Sequence, residues 1–68
     1  MAEGLTNRLR EARAERGWTQ AELAERIGVT RKTINTVENG VFTPSTILAL
    51  KLARALDTTV EALFQLTS

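Results

Sequence analysis

The chain has 68 residues, 43% hydrophobic and 25% charged, with a formal net charge of +1. One domain of this length buries only about 60% of its unfolded surface and sits near the lower size limit for folding. It has no cysteine and no histidine, which excludes disulfides, zinc–thiolate sites, a cysteine nucleophile and the usual pH switch.

Close helix packing or self-association must therefore supply the stability that small domains otherwise take from a staple. The composition is that of a soluble globular domain, and a charge of +1 carries no strong sign of a nucleic-acid binder. No segment approaches the ~18 apolar residues of a membrane span. The start, Met1-Ala2-Glu3-Gly4, carries an acid and leads into no apolar run, so it does not read as a signal peptide. A cytoplasmic protein is expected.

Taken in order, the first predicted helix runs from about Asn7 to Arg16, capped by Thr6 or Asn7, with Leu9, Ala12 and Arg13 on one face. The second runs from Gln20 to Ile27 behind a Thr19–Glu22 capping box, with Leu23, Ala24 and Ile27 inward. Gly28-Val29-Thr30 forms a tight turn, and Thr30 caps a third helix from Arg31 to about Asn39. Pro44 lies in a loop. A fourth helix spans Ser45 or Thr46 to Leu56, with Ala49, Leu52, Ala53 and Leu56 inward. A fifth, short one runs from Val60 to about Gln65 behind Thr59. The fold class is all-α, five short helices. A pairing of residues 1–4 with 64–67 as short strands is weakly signalled.

The informative segment is Gln20 to Val37. Small Ala24 permits close approach of two steeply crossed helices, Gly28 supplies the turn, and Leu23, Ile27, Val29, Ile34 and Val37 meet at the joint. This is the physical recipe of a helix-turn-helix, spanning about residues 20–39. Each spacing alone is common; their joint occurrence is specific.

The run from Thr19 to Asn35, followed by Val37-Glu38-Asn39-Gly40, resembles the Xre family of prokaryotic regulators, which shares its fold with phage repressors and Cro proteins. The likeness continues through Pro44-Ser45, the Ala49–Leu56 run and Val60–Phe64, about residues 5–66 in all. It implies a five-helix, repressor-like DNA-binding domain, typically a homodimeric transcriptional regulator. Termini that flank the match so closely point to a complete protein.

With helix 3 as recognition helix, Ile34 and Val37 face the core, and Arg31, Lys32, Asn35, Thr36 and Asn39 lie opposite. Arg31, Lys32, Asn35 and Thr36 are the residues assigned to base readout. Arg and Lys donate to guanine O6 and N7, Asn pairs with adenine N6 and N7, and a Thr methyl meets the thymine methyl. Many members of the family it resembles carry Gln where this chain has Lys32, which leaves the expected contact but not the identity of the base read. The resemblance implies that Gln20 donates to a phosphate beside the positive end of helix 2. Thr33 and Asn39 are second-rank phosphate contacts. Arg8 and Arg10 read as a solvated face. The resemblance also implies a structural ion pair between Arg13 and Glu38. Trp18 reads as a cover over the core rather than a stacking platform for bases.

The fourth helix is more apolar than one buried face requires. Ile47, Leu48 and Leu50 are left over, with Val41 and Phe42 in the preceding loop and Leu66 near the end. A small monomer rarely exposes so much apolar surface. A two-fold homodimer built from Val41, Phe42, Ile47, Leu50 and Leu66 follows, with about residues 45–68 as its dimerisation part.

The leading reading is a sequence-specific regulator, a repressor on an inverted repeat in double-stranded DNA. The alternative is a protein-binding module, such as an antitoxin subunit with an unlinked protein partner, which near-zero charge and spare apolar residues also fit. An enzyme is not expected: Asp57 is the only Asp, and no Gly-rich phosphate loop, metal-ligand spacing or cofactor motif is present.

Overall fold

Hydroxyl caps start four of the five helices among the described residues, 4–67 of a computed structural model. The elements in order are β1 (Leu5–Asn7), α1 (Leu9–Glu15), α2 (Gln20–Ile27), α3 (Arg31–Glu38), α4 (Thr46–Ala55), α5 (Val60–Leu63) and β2 (Phe64–Leu66). At α2 the capping box is complete: Thr19 Oγ1 accepts from the Glu22 N–H at 3.0 Å, and Glu22 accepts from the Thr19 N–H at 2.8 Å. These bonds hold the Glu22 carboxyl below the usual carboxylate range. Thr30, Ser45 and Thr59 cap α3, α4 and α5 in the same way, each accepting from the N–H three residues on.

Helix α1 differs from the sequence expectation. It starts at Leu9, because residues 5–7 form a strand. Asn7 still serves the helix start, accepting the Leu9 N–H at 3.1 Å, while its Nδ2 donates to the Val37 carbonyl at 3.0 Å. The strand pair is antiparallel, with Leu5 opposite Leu66, Thr6 opposite Gln65 and Asn7 opposite Phe64. The predicted pairing of residues 1–4 with 64–67 is thus displaced inward, and α5 stops at Leu63 because its last turn has become β2. Gly4 joins only through its carbonyl, which accepts from the Thr67 N–H at 3.1 Å. Residues 1–3 of that expected pairing lie outside the described residues.

Every helix sends at least one fully covered side chain to a shared core: Leu9, Leu23, Ile34, Val37, Leu52 and Leu63. Burying each contributes roughly 1.5–3 kcal/mol. Leu48, left over in the sequence reading, is buried as well. Helix α4 packs against α2 as well as α5, so its inward stripe is wider than a single contact would make it. Trp18 and Val29 are half-buried against this core.

Between α2 and α3, Gly28 takes φ +75°, and the Val29 N–H returns to the Ala24 carbonyl at 3.0 Å. A Cβ on Gly28 would meet nothing within 4 Å, so a side chain there meets only the backbone penalty. Gly28→Ala is expected to destabilise the fold by about 1–2 kcal/mol, and Gly28→Asn by less. Urea unfolding of the three proteins measures this; an alanine variant as stable as the parent would contradict it.

Candidate nucleic-acid interface

The short turn packs α3 against α2, with Ile34 and Val37 buried. The opposite face of α3 carries Arg31, Lys32 and Asn35, all exposed. Arg31 and Lys32 open the helix, and their side chains make no hydrogen bond or ion pair to any described residue. Thr33 and Thr36 are half-buried on the flanks. Their hydroxyls are locally engaged: Thr36 Oγ1 donates to the Thr33 carbonyl at 2.9 Å, and Thr33 Oγ1 lies 3.1 Å from Thr30 Oγ1. No acidic residue stands in the first turn of α3.

Behind this face lies a covered carboxylate. The Glu38 side chain has no exposed surface. Arg13 grips it with two N–H groups, Nε to Oε2 at 2.7 Å and Nη2 to Oε1 at 3.2 Å. The third Arg13 contact, Nη1 to the Trp18 carbonyl at 2.8 Å, fixes the turn before α2. Burial pushes the Glu38 carboxyl up, but the bonds from Arg13 and Gln20 and the charges of Arg13 and Arg10 outweigh it, so the carboxyl sits below its ordinary range. The hydrogen bond to Glu38 raises Arg13 in turn.

Gln20 is not turned outward. Its Nε2 donates to Glu38 Oε1 at 3.0 Å and to Asn35 Oδ1 at 3.2 Å. At the start of α2, the main-chain N–H of Gln20 has no partner among the described residues. Asn39 also points along the helix, donating to the Asn35 carbonyl oxygen and to Asn35 Oδ1. Arg10, read from the sequence as merely solvated, reaches this cluster: its Nη2 donates to Asn39 Oδ1 at 3.4 Å and its Nε lies 3.7 Å from Glu38. Its i−3 relation to Arg13 was the available signal, since both lie on one face of α1. Arg8 is exposed. Trp18 is flanked by Arg26, 4.0 Å above the ring centroid, and Arg16 at 5.4 Å.

A second surface feature is apolar. Val41, Phe42, Ile47, Leu50 and Leu66 are all exposed, from 48% at Phe42 to 78% at Val41. Leu5, absent from the sequence reading, joins them. It faces Leu66 across the strand pair and shares one shallow hollow with Leu50 and another with Phe42. Ile47 and Leu50 border a third. Val41 borders none of these hollows.

A tight turn that holds two short helices across each other and offers a polar, positively charged face on the second defines a helix-turn-helix domain. The family model for Helix-turn-helix, HTH_3, matches residues 9–63. The chain belongs to this Xre-type family of DNA-binding transcriptional regulators. An uncharacterized HTH-type transcriptional regulator of Methanothermobacter thermautotrophicus is 60% identical over 48 residues, 71% of this chain and 70% of its own. The restriction-modification controller protein C.AhdI of Aeromonas hydrophila superposes with a TM-score of 0.76 at 40% identity, covering 81% of this chain and 80% of that one. SinR, a master regulator for biofilm formation solved in complex with DNA, gives 0.73 at 31% identity, covering 78% and 86%. Antitoxin HipB of Escherichia coli is 34% identical over 53 residues, 78% of this chain and 60% of HipB.

Removing one partner of a covered ion pair costs about 3–5 kcal/mol, and Glu38→Gln is expected to lose stability on that scale near neutral pH. A carboxyl depressed in the folded state stabilises above its unfolded pKa of about 4.3 and ceases to do so as pH falls through the folded value. The stability gap between parent and Glu38→Gln is therefore full near neutral pH and narrows below about pH 4. Urea unfolding across that window measures the gap; one that stays constant would refute the assignment.

Proposed function

We propose that this chain is a sequence-specific repressor that binds an inverted repeat in double-stranded DNA as a two-fold homodimer, with α3 in the major groove. The observation that carries the reading is the exposed trio Arg31, Lys32 and Asn35 on the outward face of α3, behind the turn that family members share. Arg31 and Lys32 enter first, since the N-terminal residues of a recognition helix meet the base edges. Asn35 and the Thr36 methyl follow. Thr33 flanks the groove as a phosphate contact; Asn39, whose amide is engaged by Asn35 and Arg10, supports that flank through Asn35 and does not itself donate to a phosphate. Gln20 contributes to phosphate binding through the main-chain N–H at the start of α2, where the helix dipole favours an anion. Such a protein acts on the nucleoid, in the cytoplasm.

The homodimer draws on the apolar surface. Phe42, Ile47, Leu50 and Leu66, with Leu5 between them, form its centre, and Val41 its margin. Two recognition helices set about one DNA turn (~34 Å) apart read a palindrome. A single α3 offers few base contacts, so pairing supplies both affinity and specificity.

The test is selection from a random duplex pool, with sedimentation of the protein alone. An enriched inverted repeat and a dimer mass are expected. Arg31→Ala should cost about 1–3 kcal/mol of binding and relax preference at one position per half-site. Ile47→Glu should give a monomer with much weaker operator binding and an unchanged fold. A monomer at high micromolar concentration refutes the dimer, and a pool without enrichment at low salt refutes DNA recognition. The likeness to an antitoxin favours a second reading in that event, in which the apolar surface holds an unlinked protein partner.

A further inference from the structure

Asn35 stands in the middle of the outward face of α3, and a carboxamide there has two hands. With Nδ2 outward it offers donors; with one group of each kind outward it matches the N6 and N7 pattern of adenine. What lies behind the side chain decides which is offered. On one side the chain of contacts begins at Glu38, a carboxylate that only accepts. Gln20 must turn its nitrogen toward Glu38 Oε1, at 3.0 Å, and the same nitrogen then donates to Asn35 Oδ1 at 3.2 Å. On the other side it begins at Arg10, a guanidinium that only donates. Asn39 must turn its oxygen toward Arg10 Nη2, at 3.4 Å, so its nitrogen donates to Asn35 Oδ1 at 3.1 Å and to the Asn35 carbonyl at 2.9 Å.

Both chains end by donating to the same atom, Asn35 Oδ1. Exchanging the two ends of the Asn35 amide would set its NH2 against two other amide nitrogens. Neither neighbour can turn over in response. Gln20 would then face the Glu38 carboxylate with an oxygen, and Asn39 would face Arg10 with an NH2. The covered ion pair thus sets the polarity of an exposed side chain.

The geometry points to Asn35 as a donor-only reader, held so by Gln20 and Asn39, that selects a base with an all-acceptor major-groove edge. That base is guanine, the one whose edge carries two acceptors, N7 and O6; thymine offers O4 alone beside its methyl, and the adenine expected from residue type is disfavoured because its N6 amino group would face the Asn35 NH2. Gln20 is then a positioning residue that determines specificity without touching the base. This inference rests on the DNA-binding reading above and deepens it.

The test starts from the operator selected by the parent protein. Asn35→Ala identifies the position that Asn35 reads, as the one whose preference collapses. Guanine is expected there, favoured over adenine about tenfold. Asn35→Asp keeps an inward acceptor but turns an acceptor outward, so preference at that position alone should move to cytosine or adenine, whose edges carry an amino donor. Gln20→Met combined with Asn39→Ala removes both inward donors, and the guanine-to-adenine ratio should fall toward one. Asn35→Asp, at an exposed site whose inward bonds it retains, decides the matter should the double variant not fold. Adenine selected by the parent at that position overturns the inference, as does an unchanged preference in Asn35→Asp. An Asn35→Ala protein that selects the parental operator at every position also overturns it, while leaving DNA recognition standing. A parent protein that enriches no sequence overturns both.

Discussion

A single covered carboxylate governs the arrangement of the first three helices. Withdrawing a carboxylate from water costs several kcal/mol unless its lone pairs are matched. Glu38, in the last turn of α3, is matched by Arg13 of α1 and Gln20 of α2, with Arg10 of α1 nearby. The partners come from different elements, so satisfying the charge fixes the elements relative to one another. Arg13 extends the same constraint to the turn before α2 through the Trp18 carbonyl, and Arg26 lies over the Trp18 ring. A hydrophobic contact tolerates sliding; a two-pronged guanidinium–carboxylate pair does not.

The same charge explains how a nearly neutral chain presents a positive face. The one acid of α3 is turned inward and neutralised, while Arg31 and Lys32 project from the first turn. Net charge sums over the surface and conceals this separation. Attraction to a polyanion depends on local potential within roughly a Debye length, about 8–10 Å at moderate salt, and much less on the total.

The helix-turn-helix was legible because its determinants are local. A capping box, a left-handed glycine and an apolar spacing of three and four residues all lie within 19 positions, from Thr19 to Val37. The bounds of α2, and its capping box, follow from residue types alone. The strand pair was harder, because its partners lie 59 residues apart at Thr6 and Gln65, and three-residue strands carry no period. Leu48 was misjudged because a periodicity reading allows one packing partner, whereas α4 has contacts with both α2 and α5. The inward turn of Gln20 had no pattern to betray it, since polar side chains follow no repeat. Its only trace was an unfilled lone pair on Glu38 once Arg13 was assigned to it. Base-contacting residue types were readable, but the hand of an amide is a property of its neighbours in space.

The ribbon formed by β1 and β2 closes the described chain into a loop, with the Gly4 carbonyl on the Thr67 N–H. Closing so long a loop has the largest entropic cost of any contact in the fold, and few bonds offset it. Such a clasp rests on helices that bring its halves together, and Phe64, at the start of β2, anchors it in the core. Leu5 and Leu66 face each other across it at the edge of the apolar surface. The strand pair thus ties that edge to the core through the buried Phe64.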